Sequence, residues 1–163
     1  MGVVSRSSTF IAVQHATRSS SFAAPDPAVP AGTRLPLPPS ECQVLLKARP
    51  NVLLEGTESA VAATLLALKP LTQGPVQSSG APLCLPDAGV RTFVVYDVDR
   101  LDANDQTRLF QWLGERPAGL QVIATTSRRL FEMTVDDSFL PGLYYRLNVV
   151  RIPVTDCGGE LHS

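Results

Sequence analysis

Few residues in this chain have types and spacing that could do chemistry, and they are scattered. Three cysteines, Cys42, Cys84 and Cys157, stand far apart and form no C-x-x-C pair. Their spacing signals neither zinc ligation nor a disulfide framework. Isolated buried thiols in a reducing cytoplasm are the expectation. The two histidines, His15 and His162, lie near the ends, so a Ser-His-Asp or Cys-His centre has no base in the central part of the chain. Asp136 and Asp137 are adjacent, yet the sequence around them completes no metal shell. Asp97 ends an apolar run, where a strand-end carboxylate caps nearby backbone N–H groups. Asp99 and Asp102 fall where acids start a helix. Ser127-Arg128-Arg129 makes a small positive patch. Two arginines fall short of the several phosphate contacts that nucleic-acid binding takes, and a solvated turn is the plainer reading. Tyr144 and Tyr145 could stack on a base, or pack their own segment against a sheet.

The elements that would position these groups begin late in the chain. Residues 1–39 are crowded with serine and proline, as in SRSSTF and APDPAVPAGTRLPLPP, and set Arg6, Arg18 and Arg34 against the single acid Asp26. Such a stretch cannot bury enough apolar surface to offset its ordering entropy, so a disordered leader is expected. An acid-poor Ser/Arg start also fits a transit peptide, and a misplaced start codon is a third reading. Residues 155–163 read as a polar tail. Between them, 40–154 form one domain. The chain of 163 residues carries 14 Lys+Arg against 15 Asp+Glu, which gives no general attraction to nucleic acid or an anionic membrane. No apolar run approaches the roughly 18 residues that span a bilayer.

Within the domain, strands alternate with helices. CQVLLKAR gives about two helical turns, capped by Ser40 and stopped at Pro50. NVLLEG reads as a buried strand and TESAVAATLLALK as a helix, with Leu65, Leu66 and Leu68 on one side. Thr72–Val90 is loop-like, with room for a short strand at Pro82–Leu85. RTFVVYDVD is a strongly apolar strand. ANDQTRLFQWLGE is an amphipathic helix with Leu109, Phe110, Trp112 and Leu113 on its apolar face and Gly114 marking its end. GLQVIATTS is the next strand, a short helical stretch follows near Arg129–Met133, and NVVRIPV is the last strand. This order predicts an α/β fold with a mostly parallel sheet.

DQTRLFQWL, then LQVIATTSRRLFE, then FLPGLYYRLNVVRIPV together resemble the AAA+ domain of sigma-54-dependent transcription activators. Leu143-Tyr144-Tyr145-Arg146-Leu147-Asn148-Val149 matches that family's FRxDLYYRLNV segment most closely, and ARPNVLLEG is similar to the strand entering its P-loop. The resemblance covers roughly residues 42–154. It implies a sheet of P-loop NTPase (AAA+) type, shortened and without the lid domain.

Read position by position, the resemblance also implies a nucleotide site that has lost its chemistry. The family's GESGTGKE, whose glycines and lysine cradle phosphates, falls on Gly56, Thr57, Glu58, Ser59, Ala60, Val61, Ala62 and Ala63. Only the first glycine survives. Val61 replaces a glycine, Ala62 replaces the lysine, and Glu58 would repel phosphate. Of the Asp-Glu pair that handles magnesium and water, one acid remains. Either Tyr96 and Asp97, or Asp97 and Val98, occupy those places. Ser127 stands at the sensor position. Arg146 keeps the second arginine of the finger region and could reach a neighbouring subunit's phosphate, or serve as an ordinary structural arginine; Leu140 replaces the first. The sigma-contacting GAFTGA string does not occur. The expected site is therefore vestigial, made of Gly56, Ser59, Asp97 and Ser127, with Arg146 acting in trans and no catalytic or metal-binding residue. No cofactor is expected, with Mg-ATP bound at most weakly. The expected partner is a protein, either an intact AAA+ activator or a second copy, rather than DNA or membrane.

Overall fold

The structure, a computed structural model, describes residues 44–155 apart from 46. The leader expected at 1–39, the cap at Ser40, both histidines, Cys42, Cys157 and all of the tail but Thr155 lie outside the described residues. Val44, Leu45, Lys47 and Ala48 are helical (α1). The chain then alternates: β1 (Val52–Gly56), α2 (Glu58–Leu68), β2 (Val76–Ser79), β3 (Thr92–Val95), α3 (Ala103–Glu115), β4 (Gln121–Thr126), α4 (Leu130–Val135), α5 (Pro141–Leu147) and β5 (Val150–Val154). The strands form one sheet in the order β2-β3-β4-β1-β5, and every pairing is parallel.

The central strands are apolar on both faces because both faces are covered. Leu53, Phe93, Val95, Val122 and Ala124 point to one side, where they meet Leu109 and Leu113 of α3, Leu130 of α4 and Leu143 and Leu147 of α5. Val52, Leu54, Val94, Ile123 and Ile152 point to the other, where they meet Leu45 and the Ala60, Val61 and Leu68 side of α2. Leu65 and Leu66 lie at the margin of that packed face, half-buried, while Thr64 joins the buried stripe. α2 packs on β1 and β5, so it leaves the β2–β3 end of its face to the groove described below.

Three local expectations change. Pro82–Leu85 is no strand; the edge strand is Val76–Ser79 instead. Prolines at 82 and 86 lack ladder donors, and Leu83 is held by a side chain, its N–H donating to Asp105 Oδ2 at 2.8 Å. Cys84, expected to be a buried thiol, is exposed, because the burial on that segment goes to Leu83. Gly114 does not end α3, which runs on to Glu115 and stops at Arg116, before Pro117. A methyl at Gly114 would lie 2.7 Å from Arg146 Nη1, so this glycine makes room for a side chain rather than a turn.

Buried polar groups pin the helices to the loops. Gln106 Nε2 donates to Leu101 O (2.9 Å) and Ser138 O (3.3 Å), while its Oε1 accepts from Leu140 N–H (2.8 Å). At the opposite edge of the sheet, Asn51 Nδ2 donates to Arg146 O and Asn51 Oδ1 accepts from Arg116 Nη1, each at 2.6 Å. Burial pushes the Arg116 guanidinium below the usual arginine value, and the bond to Asn51 compensates part of its lost hydration. Replacing Gln106 by leucine keeps the volume but strands the Leu140 N–H and two carbonyls. The expected loss is about 2–3 kcal/mol, readable as a lower midpoint in urea unfolding with unchanged m-value.

Candidate functional site

Because all the strands run the same way, their carboxyl ends share one edge, where parallel α/β sheets bind ligands. Gly56 ends β1, Tyr96 and Asp97 follow β3, and Ser127 follows β4. Gly56, Asp97 and Ser127 come together on the wall of a groove of about 630 Å³ between α2 and the β3–β4 side of the sheet. That size suits a small organic ligand. Its walls are mostly aliphatic, with Val61, Leu65, Val94 and Ile123 among them, and Glu58 and Lys69 also reach it.

The turn that enters this groove is short. β1 ends at Gly56 and α2 begins at Glu58, leaving Thr57 alone as the helix cap. Thr57 Oγ1 accepts from Ala60 N–H at 3.3 Å, and Val61 N–H donates to Thr57 O at 2.9 Å. The sequence explains the shortening. ESAVAATLLAL has no glycine to favour an open loop and four alanines to favour helix, so helical turns stand where a phosphate loop would wrap. Gly56 also has another reason to be glycine. A methyl there would overlap Val154 O and come within 2.7 Å of Val154 Cγ2, so Gly56 is needed where β1 presses against β5. Ser59 lines neither this groove nor the smaller cavity beside it; its hydroxyl lies 3.2 Å from that of Thr57.

Asp97 takes a left-handed backbone conformation, φ +47°, and its N–H donates to Thr125 Oγ1 at 3.1 Å. The capping role expected of its carboxylate is not seen, for the short turn at Val98–Arg100 has no side-chain cap bond. Of the neighbours that could share its role, Tyr96 lines the groove while Val98 is fully buried on the α3 side. Asp102 caps α3, accepting from Asp105 N–H at 2.7 Å, as its position in the sequence suggested. Asp99 accepts instead from Thr126 Oγ1 at 2.8 Å.

Arg146 stands apart from these residues. Its carbonyl accepts from Asn51, which precedes β1, so it sits toward the amino edge of the sheet and away from Gly56. Its Nη1 donates to Phe110 O at 2.9 Å, and the guanidinium carbon lies 4.1 Å from the centre of the Phe110 ring. In its own subunit it cannot serve the carboxyl-edge groove. Tyr144 is buried and packs its segment, while Tyr145 is exposed. Arg128 and Arg129 line a second cavity of about 320 Å³ with Gly56, Thr57 and Ser127, on the other flank of α2's first turn. Arg129 pairs with Glu132 at 3.2 Å, both mostly exposed. Among the described residues there is no cluster of three or more potential metal ligands, and no helix long and apolar enough to cross a membrane.

Residue type alone assigns no site role to Leu65, Val94, Ile123 or Lys69. Their signal was indirect: Thr72–Val90 contains no helical pattern that could cover the β2–β3 end of the face on which α2 lies.

The five-stranded parallel sheet with helices on both faces, and its carboxyl-edge groove, define a protein of P-loop NTPase (AAA+) fold. The chain belongs to the sigma-54 interaction domain family, whose model matches residues 71–157. Among solved structures it is similar to NtrX from Brucella abortus in complex with ATP, at 16% identity and a TM-score of 0.55 over 71% of this chain and 35% of NtrX. A structure of NtrX with ADP gives a TM-score of 0.54 at the same identity and coverage. A variant of RuvB from Thermotoga maritima gives 0.50 at 15% identity, over 70% of this chain and 43% of RuvB. At such identities the likeness is one of fold. No curated protein matches.

Gly56→Ala should destabilise the domain by roughly 2–4 kcal/mol, since it is a backbone clash rather than a lost ligand contact. Thermal unfolding monitored by circular dichroism would read it as a lower Tm in the absence of any nucleotide.

Proposed function

We propose that this domain is a non-catalytic member of the sigma-54 interaction domain family that acts by contact with another protein. One observation carries the reading. The helix after β1 begins within a residue of the strand's end, so Thr57 alone stands where a phosphate loop would wrap, and the Ala60 and Val61 amides bond to Thr57 rather than facing a ligand. The residue types support it: Ala62 stands for the family's lysine, Glu58 adds a negative charge at the groove, and Asp97 is the single acid left of the pair. NtrX, which shares the fold, was solved with ATP; the groove walls here suit apolar matter better than a triphosphate.

The partner in this reading is an intact AAA+ activator, whose ring would accept a subunit that presents Arg146 but completes no site of its own. Adding the protein should change the ATPase rate of such an activator, and Arg146→Ala should abolish the change. An unaltered rate at saturating protein would sink the proposal. Because Arg146 also packs on Phe110, the variant's thermal stability must be measured beside it.

A weaker reading keeps residual nucleotide binding through Gly56 and Asp97, with Arg146 supplied by a neighbouring copy, and the size of the groove favours it. Calorimetry with Mg-ATP separates the two. The expected outcome is no saturable heat, and a dissociation constant below about 100 μM, roughly −5.5 kcal/mol, would restore the nucleotide reading. Ala62→Lys should leave the titration flat, because a cation added to a helix does not rebuild a loop.

A further inference from the structure

The geometry points to the groove between α2 and β3 as a binding site for an organic amine: an apolar, preferably aromatic body carrying one positive charge. The inference rests on the reading that this groove takes no triphosphate. The cavity of about 630 Å³ is large enough to enclose such a molecule. Its walls are aliphatic along the helix, from Val61 and Leu65 on α2 to Val94 and Ile123 on the sheet. Val94 and Ile123 are buried at the floor, while Tyr96 is 44% exposed at the rim, where an aromatic ligand could lie against its ring.

Charge decides the class of ligand. Glu58 and Asp97 both stand at the carboxyl-edge end of the groove, and neither carboxylate has an ion pair among the described residues. Asp97 is half-buried, so its charge is less screened than a surface one. The cation of the same groove, Lys69, follows the last residue of α2. At 1.5 Å per residue it lies roughly 16 Å along the helix from Glu58, too far to neutralise that end. Arg128 and Arg129 line the other cavity. An ammonium group seated between Glu58 and Asp97, with its apolar body along α2, satisfies both features. A carboxylate or phosphate in the same place meets two like charges.

Titration of the full chain at neutral pH, followed by calorimetry, tests this with three probes of one shape: 2-naphthylmethylamine, 2-naphthalenemethanol and 2-naphthoate. The amine should bind in a saturable way at least about tenfold tighter than the alcohol, as a charge-assisted hydrogen bond gives, and the naphthoate weakest. Asp97→Asn should remove that preference while leaving the alcohol's affinity unchanged. Asparagine tolerates the left-handed backbone at this position, so the fold should survive. Should it not, Glu58→Gln at an exposed site should reduce the preference instead. Leu65→Arg should abolish binding of all three. The proposal is overturned by equal affinity for amine and alcohol, by tighter binding of the naphthoate, by no saturation with the amine at millimolar concentration, or by a preference that survives both carboxylate substitutions. A positive Mg-ATP titration would defeat the non-catalytic reading by itself; a flat one with no amine binding would defeat only this inference.

Discussion

The close approach of β1 to β5 at Gly56 is the constraint on which the rest of the carboxyl edge depends. Val154 O occupies the space a side chain at position 56 would need, so the strand ends pressed against its neighbour. The next residue, Thr57, already caps a helix. There is no slack between strand and helix, and hence no loop whose amides could turn toward a ligand. A site built for anions needs free N–H groups and a nearby cation. Here the Ala60 and Val61 amides are taken by Thr57 Oγ1 and Thr57 O, and α2 brings the acid Glu58 to this end of the groove.

The groove beside this turn exists because of what happens two strands away. β2 passes to β3 through residues 80–91, which carry no helix, and α2 packs toward β1 and β5. The sheet's α2 face is therefore less deeply covered over β3, where the buried Val94 and the exposed Tyr96 line the groove. The other face is tightly closed, and its closure is partly polar. Gln106 binds three backbone groups from two loops, and Asp105 holds Leu83 N–H. Buried side chains with every bond made fix one geometry, since any slip leaves a donor or acceptor unpaired at a cost. α3 is thus locked to the segment that leads into α5, and α5 sets Arg146 on Phe110.

Much of this could be read from residue order. The strands β1, β3 and β4 were legible as apolar runs bounded by turn residues, because burial on both faces imposes one unbroken pattern, and the edge strand β5 by the alternation of Val150, Ile152 and Val154 with exposed residues. The helix at Ala103–Glu115 was legible, since its apolar period and the capping Asp102 beside it are local to the sequence; the reason for Gly114 was not, because it lies in Arg146. β2 was not. VQSS at a sheet edge has no apolar pattern, and its pairing with β3 is decided by backbone geometry. The bridging role of Gln106 was invisible for a similar reason, as its partners lie up to 34 residues away.

The sequence by itself determined the class of fold, the family likeness in LYYRLNV, and the absence of lysine from the stretch after Gly56. These follow from residue type and near-neighbour order, which local propensity and side-chain chemistry can decide. Tertiary structure alone decided that Gly56 serves a strand contact, that Asp97 faces a groove while Val98 faces the core, and that Arg146 lies at the sheet's opposite edge. Those facts depend on which strand lies beside which and on the direction each runs, and distances across the sheet are not encoded in any single stretch of the chain.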